Sequence, residues 1–333
     1  MTYIDKYEII LIMLIIDILL IILGMVLLIK GGDLLVDGAS SLARRFKISE
    51  LTIGLTIVAF GTSSPELVVS LSAAIGLHPE ISLGNVIGSN NFNLFFILGI
   101  TGIIAPIVVQ KNTVRIEIPL SLLAVIVLFL LANFNFFPDE KNLLTRIDGI
   151  ILLLFFGLFL FYAYKNMKTA AAEEETISVK SLSTIKIVLF IIFGLIFLVI
   201  GGRLVVNSAV AIAHALNISE KVIGLTIVAV GTSLPELVTS IIAIIKKSND
   251  IAIGNIIGSN IFNIFLILGV SAVITPINYS LVFNKDIYIL ALGTVLLLLA
   301  MITGKSKKLD RWEAAVLFSI YIGYVVYLII KNE

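Results

Sequence analysis

Cysteine is absent from this chain of 333 residues, and histidine occurs only twice. The missing thiols exclude disulfides, thiolate metal ligands and cysteine nucleophiles. Charged residues are also scarce, at 14% against about 25% in a typical soluble domain, whereas apolar residues make up 59%. This balance predicts a polytopic membrane protein with the lipid bilayer as its main solvent. The net charge of +1 argues against a nucleic-acid partner.

The same pair of motifs occurs twice, 170 residues apart. Residues 54–69 read GLTIVAFGTSSPELVV and residues 224–239 read GLTIVAVGTSLPELVT, with thirteen of sixteen positions identical. Residues 84–99 read GNVIGSNNFNLFFILG and residues 254–269 read GNIIGSNIFNIFLILG, with twelve of sixteen identical. A duplicated half with helix-breaking and polar residues inside apolar segments is typical of a secondary transporter whose site lies at the repeat interface.

Apolar stretches of about 20 residues predict membrane-spanning helices. We place ten of them, at 9–42, 51–76, 82–105, 115–134, 146–165, 183–216, 221–246, 251–275, 286–303 and 312–330. Five spans per repeat is an odd number, so the second repeat enters the membrane from the opposite side. The predicted fold is therefore an all-α integral membrane protein of ten transmembrane helices, arranged as two inverted five-helix repeats with broken motif helices.

The repeats are expected at residues 1–165 and 183–333, joined by a linker at 166–182. Fifteen Lys and Arg residues fall on one side of the predicted spans and six on the other. Because basic residues concentrate on the cytoplasmic side, this bias predicts extracellular termini and a cytoplasmic linker. The short loops favour a cell (plasma) membrane location.

Each GTSxPE motif gathers oxygen ligands around a helix break. Pro65 has no N–H and its ring displaces the carbonyl of Gly61, so the helix must kink there. Thr62 and Ser63 lie four and three residues before Glu66 and are expected on the same helix face. The second repeat supplies the equivalent residues Thr232, Ser233 and Glu236. Hydroxyl, carbonyl and carboxylate oxygens suit sodium, calcium or magnesium rather than soft metals.

The second segments add amide oxygens to this set. Ser89 and Asn93 lie four residues apart, as do Ser259 and Asn263, so each pair projects from one helix face. Asparagines also open these segments, and we expect them to satisfy the broken backbone rather than to bind an ion; they are Asn85 and Asn255.

No Lys or Arg lies between residues 51 and 106 or between 222 and 245, so Glu66 and Glu236 have no local basic partner. An uncompensated charge at the bilayer centre costs at least about 2.5 kcal/mol. Bound metal cations or protons must therefore neutralise the two carboxylates. The charged residues Asp33 and Asp37 are expected instead in a structural ion pair or at a cytoplasmic helix end.

The two motif pairs closely resemble those of the sodium/calcium exchanger family, within the wider cation/calcium antiporter superfamily. The resemblance implies four cation positions at mid-membrane, with calcium bound by both Glu66 and Glu236. It also implies sodium at flanking positions, with Ser63 and Ser89 at one end and Ser233 and Ser259 at the other. The implied remaining ligands are Thr62, Thr232, Asn93, Asn263 and the backbone carbonyls of Ala59 and Ala229. Sodium and calcium would be transported ions, and no cofactor is expected.

Asn stands at both positions 93 and 263, where some relatives have Asp, and this weakens the case for potassium co-transport. A proton- or potassium-coupled antiporter of calcium or another divalent cation remains the alternative. The large calcium-sensing insertion of animal exchangers is missing, which indicates a prokaryotic type of exchanger without a regulatory domain, and no obligate protein partner is evident.

A cation channel or an intramembrane enzyme is a further alternative. A channel fits poorly because inverted repeats suit alternation between two faces. An enzyme fits poorly because both histidines lie outside the motifs, so Ser63 and Ser233 lack an activating base. We therefore predict a sodium-driven calcium antiporter and no enzymatic activity.

Overall fold

Long apolar stretches become helices in lipid because a helix satisfies its own backbone hydrogen bonds. The computed structural model describes residues 6–76, 80–134, 142–167, 182–216, 229–303 and 307–331. In chain order its helices are α1 (Lys6–Phe46), α2 (Glu50–Thr62), α3 (Ser64–Ile75), α4 (Glu80–Ile104), α5 (Thr113–Asn133), α6 (Arg146–Asn166), α7 (Thr184–Ala215), α8 (Ala229–Thr232), α9 (Leu234–Ile245), α10 (Asn249–Ile274), α11 (Phe283–Ile302) and α12 (Arg311–Lys331).

The described helices account for most of the predicted spans. Eight of them are long and apolar enough to cross a membrane, and the count is nine if the bent pair of α2 and α3 is one span. The predicted seventh span, at 221–246, falls partly outside the described residues. Its described part contains α8 and α9. The count of ten spans and the repeat boundaries therefore stay predictions. Most of the predicted linker also lies outside the described residues.

The first motif helix is broken where the sequence predicts a kink. α2 and α3 meet at Ser63 with a bend of 48°, and Pro65 lies in the first turn of α3. Proline fits this position because the first N–H groups of a helix have no partner within the helix. The kink predicted at Pro65 is confirmed.

π-helical turns interrupt the helices near the site, a feature that the sequence analysis did not predict. They cover Gly54–Val58 in α2, Phe92–Ile97 in α4 and Phe262–Leu268 in α10. The last two carry Asn93 and Asn263. π-helical turns inside α-helices are frequent at functional sites because they re-aim side chains.

The two longest helices, α1 and α7, pack against each other through glycine. A Cβ atom added at Gly24 would lie 2.8 Å from the carbonyl oxygen of Gly201, and one added at Gly31 would lie 2.8 Å from that of Gly194. Small residues permit this close approach of two membrane helices. α4 and α10 form the centre of the molecule, and every residue from Ile251 to Ile261 is buried.

Two short antiparallel strand pairs join the halves of the chain. β1 (Ile107–Val108) pairs with β4 (Lys308–Leu309), so that Ile107 faces Leu309. β2 (Leu143–Leu144) pairs with β3 (Ile277–Asn278), so that Leu144 faces Ile277. Each pair links a segment of the first half to one of the second, and thereby holds α4 and α10 beside their neighbours.

Candidate cation site

The two motif glutamates lie at the starts of α3 and α9. Glu66 follows Pro65 in the first turn of α3, and Glu236 follows Pro235 in the first turn of α9. Both glutamates are completely buried, at 0% exposure. The positive end of the helix dipole favours a carboxylate in a first turn. The helix breaks thus place two buried acids in a setting that stabilises negative charge.

Serines of the breaks bind the glutamate of the other repeat. Ser63 Oγ donates a hydrogen bond to Glu236 Oε1 at 2.8 Å, and Ser233 Oγ donates to Glu66 Oε1 at 2.8 Å. The sequence pattern suggested that Ser63 shares a helix face with Glu66. The helix break at Ser63 instead turns its hydroxyl toward the second repeat. These crossed bonds bring the two acids into one cluster.

The serines of the second segments reach the same carboxylates at longer range. Ser89 Oγ donates to Glu66 Oε1 at 3.5 Å, and Ser259 Oγ donates to Glu236 Oε1 at 3.4 Å. Both serines are buried, at 1% and 0% exposure. Oε1 of each glutamate therefore accepts two hydrogen bonds. One comes from a serine of the same repeat, and the other comes from the serine at the helix break of the opposite repeat.

Among the remaining predicted ligands of the breaks, Thr62 contacts both Ala59 and α10. Thr62 Oγ1 donates to the carbonyl oxygen of Ala59 at 3.3 Å and to Asn255 Oδ1 at 3.0 Å. Thr232 is 9% exposed and lines a cavity described below. Ala229 begins α8, three residues before Thr232.

Two asparagines bind the backbone beside the glutamates, as the sequence predicted. Asn85 Nδ2 donates to the carbonyl oxygen of Glu66 at 3.3 Å, and Asn255 Nδ2 donates to that of Glu236 at 3.4 Å. The same amides also donate to Ser70 Oγ and Ser240 Oγ. These bonds fix the first turns of α3 and α9 against α4 and α10.

Four asparagines cross-link the repeats at the centre of the site. Asn93 Nδ2 donates to Asn260 Oδ1 at 3.1 Å, and Asn263 Nδ2 donates to Asn90 Oδ1 at 2.9 Å. The motifs indicated Asn93 and Asn263 as site residues but did not indicate their partners. The available signal was that the GSN triplet containing Asn90 recurs unchanged around Asn260.

Four buried oxygen atoms at this cluster have no hydrogen-bond partner within the described chain. They are Glu66 Oε2, Glu236 Oε2, Asn93 Oδ1 and Asn263 Oδ1. Buried polar atoms are normally satisfied, because leaving one without a partner costs about 1–3 kcal/mol. Carboxylate and amide oxygens are the ligands that calcium prefers. The arrangement can therefore coordinate a hard cation.

No basic side chain of the described residues neutralises the two glutamates. Lys246 Nζ lies 2.6 Å from Asp33 Oδ1 and 2.7 Å from Asp37 Oδ1, at the far end of α9 from Glu236. Of the two expectations for Asp33 and Asp37, a structural ion pair or a cytoplasmic helix end, the structure shows the ion pair. Lys308 pairs with Asp310. The described ion pairs leave the charge of the site to be balanced by something else.

A cavity of about 630 Å³ lies between α7 and the starts of α3 and α9. Thr232 and Pro235 line the side formed by the second helix break, whereas Arg203, Asn207 and His214 line the side formed by α7. The cavity therefore adjoins both helix breaks, although its lining does not include Glu66 or Glu236.

Known proteins resemble this chain in both sequence and fold. The family model described as sodium/calcium exchanger protein matches residues 16–165 and 186–330. The chain is 32% identical to sodium/calcium exchanger MaX1 of Methanosarcina acetivorans, covering 87% of this chain and 92% of that protein. It is 37% identical to inner membrane protein YrbG of Escherichia coli, covering 78% and 80%.

A solved structure of the sodium-calcium exchanger NCX_Mj, soaked with Na+ and Ca2+, superposes with a TM-score of 0.80 at 34% identity, covering 94% of this chain and 99% of that one. The sequence and the fold thus agree with one group of transport proteins. The chain belongs to the sodium/calcium exchanger protein family, whose members are membrane cation antiporters rather than enzymes.

Proposed function

We propose that this protein exchanges sodium for calcium across the membrane by alternating access, with Glu66 and Glu236 as shared central ligands. The observation that carries the proposal is the pair of fully buried carboxylates, each with one oxygen lacking a hydrogen-bond partner in the described chain. Serine hydroxyls of both repeats bind the other oxygen of each carboxylate.

Charge balance connects this geometry to exchange. Two buried carboxylates at membrane depth repel each other and pay a desolvation cost unless cations neutralise them. One calcium ion supplies two positive charges, and sodium ions that occupy the same ligands supply them singly. Because both ions need the same carboxylates, they compete for one site. Such competition is the basis of antiport.

The further ligands follow the same reasoning. Thr62, Ser63, Ser89 and Asn93 of the first repeat would act with Thr232, Ser233, Ser259 and Asn263 of the second. The carbonyls of Ala59 and Ala229 complete the proposed set. Amide oxygens at 93 and 263 leave the site with two carboxylates, which match one divalent ion.

Alternating access requires one side of the site to open while the other closes. Thr232 lines the cavity beside α7, whereas the Lys246–Asp33 ion pair joins α1 to the opposite end of α9. We propose that α1 and α7 move together, because glycines join them closely, and that the core of α3, α4, α9 and α10 stays fixed. With the positive-inside orientation, the termini and the cavity face the outside and the linker faces the cytoplasm.

The cell membrane is the proposed location, in keeping with the inner-membrane relative of Escherichia coli. The proposed organisation is two inverted five-helix repeats, at 1–165 and 183–333. Sodium is proposed as the coupling ion because a relative covering most of the chain is named a sodium/calcium exchanger. A relative named a sodium/potassium/calcium exchanger matches 48% of the chain.

Flux into liposomes tests the proposal. Purified protein is reconstituted in vesicles loaded with sodium and diluted into sodium-free buffer containing calcium-45. We expect uptake that requires internal sodium and disappears in Glu66→Gln and in Glu236→Gln. The matched control is Glu117→Gln, because Glu117 is also buried in a membrane helix but is hydrogen-bonded to Tyr162 away from the site.

Each alternative gives a different result in the same assay. Uptake driven only by a proton or potassium gradient would reassign the coupling ion. Uptake without any counter-ion gradient would indicate a channel. Normal flux in Glu66→Gln would refute the site.

A further inference from the structure

We propose that Asn90 and Asn260 are positioning residues that hold the amide oxygens of Asn93 and Asn263 toward the cation. This inference rests on the proposed function of the site and deepens it. It assigns cation affinity partly to two residues that provide no ligand atom themselves. The chemistry concerned is the choice between an amide oxygen, which attracts a cation, and an amide NH2 group, which repels one.

The carboxamides of Asn93 and Asn263 are oriented by bonds across the repeat interface. Asn93 Nδ2 donates to Asn260 Oδ1 at 3.1 Å, and Asn263 Nδ2 donates to Asn90 Oδ1 at 2.9 Å. All four side chains are buried, at 0–3% exposure. With water excluded, an NH2 group that turned away from its partner would lose a hydrogen bond without replacement.

Asn90 and Asn260 are themselves fixed by a reciprocal pair of bonds. Asn90 Nδ2 donates to the carbonyl oxygen of Asn260 at 3.2 Å, and Asn260 Nδ2 donates to that of Asn90 at 3.5 Å. If either amide flipped, its NH2 group would face the NH2 group of Asn93 or Asn263. A primary amide has one acceptor oxygen and one donor nitrogen, so the flip would break both bonds of that side chain.

These hydrogen bonds determine which amide atoms are left available at the ion site. Because their NH2 groups are engaged, Asn93 and Asn263 are left with Oδ1 atoms that have no hydrogen-bond partner in the described chain. The π-helical turn carrying Asn93 packs against α9, which carries Glu236, and the turn carrying Asn263 packs against α3, which carries Glu66. These hydrogen bonds therefore leave an oxygen atom, rather than an NH2 group, without a partner on each of the two turns that pack against the helices of the glutamates.

A purely structural role for Asn260 would be to hold α4 against α10. The two roles differ in a double-mutant cycle. If Asn260 acts on the ion through Asn93, its replacement has no further effect on calcium affinity once the Asn93 amide is gone. If Asn260 only supports packing, its effect persists in the absence of that amide and the two effects add.

The test measures calcium binding to the purified full-length protein by isothermal titration calorimetry in sodium-free buffer. The variants are Asn260→Leu, Asn93→Ala and their combination. The matched control is Asn91→Leu, since Asn91 is a fully buried neighbour of Asn90 that donates to the carbonyl oxygen of Asp286 instead. Asn260→Ser, a smaller and polar replacement that is too short to reach Asn93, serves if Asn260→Leu does not fold.

We expect Asn260→Leu or Asn260→Ser to weaken calcium binding about tenfold, which corresponds to the loss of about 1.4 kcal/mol. Asn91→Leu should stay within about twofold of the wild type, and adding Asn260→Leu to Asn93→Ala should change the affinity less than about twofold, within the usual error of such cycles. Wild-type affinity in both Asn260 variants, or additive effects in the cycle, would overturn the inference.

The wild type and Glu66→Gln are titrated alongside. A wild type that binds no calcium would refute the proposed function and the inference with it. Calcium binding that is lost in Glu66→Gln but unchanged in the Asn260 variants would leave the proposed function intact and overturn the positioning role alone.

Discussion

Ser233 Oγ donates a 2.8 Å hydrogen bond to Glu66, a residue 167 positions earlier in the chain. The mirror contact, from Ser63 Oγ to Glu236, has the same length. Each carboxylate is therefore held by the helix break of the opposite repeat. A change in the relative position of the two breaks would alter both carboxylates together, which couples the halves of the molecule at the site.

The hydrogen bond from Ser63 to Glu236 predicts that Ser63 contributes to calcium affinity and that its neighbour Ser64 does not. Ser63→Ala removes a hydrogen bond to a buried carboxylate, which is worth about 1.5–3 kcal/mol, and should weaken apparent calcium affinity at least about tenfold. Ser64 Oγ donates instead to the carbonyl oxygen of Phe60, so Ser64→Ala should behave as the wild type. Calcium-45 uptake at graded calcium concentrations measures both. Equal effects of the two substitutions would contradict the assignment of Ser63.

The cavity predicts which residues water-borne reagents reach. Because the chain has no cysteine, a single introduced thiol is the only reactive one. Asn207 is exposed and lines the cavity, so Asn207→Cys should react with a membrane-impermeant thiol reagent added outside right-side-out vesicles. Lys47 is exposed in the turn after α1, at the end of α1 beyond the Lys246 ion pair, and Lys47→Cys should not react from that side. The reverse pattern would show that the cavity faces the cytoplasm.

Loss of the Lys246 ion pair should shift the protein from the conformation with the open cavity to the one with the closed cavity. Lys246 joins α1 to the end of α9 through Asp33 and Asp37, and all three side chains are partly exposed. Such pairs contribute about 0.2–1 kcal/mol each. Lys246→Met should therefore lower the labelling rate of Asn207→Cys a few-fold, as molecules move to the state with the cavity closed. Lys247→Met, at the exposed neighbouring position, is the control. An unchanged labelling rate in Lys246→Met would show that the ion pair does not stabilise the conformation with the open cavity.

The second helix break packs closely against α7, so a larger residue in place of Gly231 should slow ion exchange. A Cβ atom added at Gly231 would lie 2.1 Å from Val206 Cγ2, closer than real atoms approach. Gly231→Ala should therefore slow exchange severalfold or more, since overpacking of this kind costs about 1–3 kcal/mol. Adding Val206→Ala should restore much of the rate by making room.

Gly157→Ala, where an added Cβ meets nothing within 4 Å, should leave calcium-45 uptake unchanged. A Gly231→Ala defect that Val206→Ala cannot relieve would mean that the clash with α7 is not its cause.

The sequence by itself determined the membrane class, the family, the paired motifs, the break at Pro65 and the two buried glutamates. Long apolar stretches, helix-breaking proline and unpaired acids are local signals, and the near-identical motif copies placed them in corresponding positions. Asn85 and Asn255 were also assigned correctly to the backbone, because their position at the start of the segments indicated a capping role.

The tertiary structure alone decided which groups meet. A helix break changes the direction of every side chain beyond it, so the spacing of Ser63 and Glu66 did not reveal that Ser63 binds Glu236. The bonds from Asn93 to Asn260 and from Asn263 to Asn90 depend on how α4 and α10 cross, which no local pattern encodes. The pairing of Lys246 with Asp33 likewise depends on α1 lying beside α9. Contacts across the repeat interface are set by packing between distant segments, and packing is a property of the folded molecule.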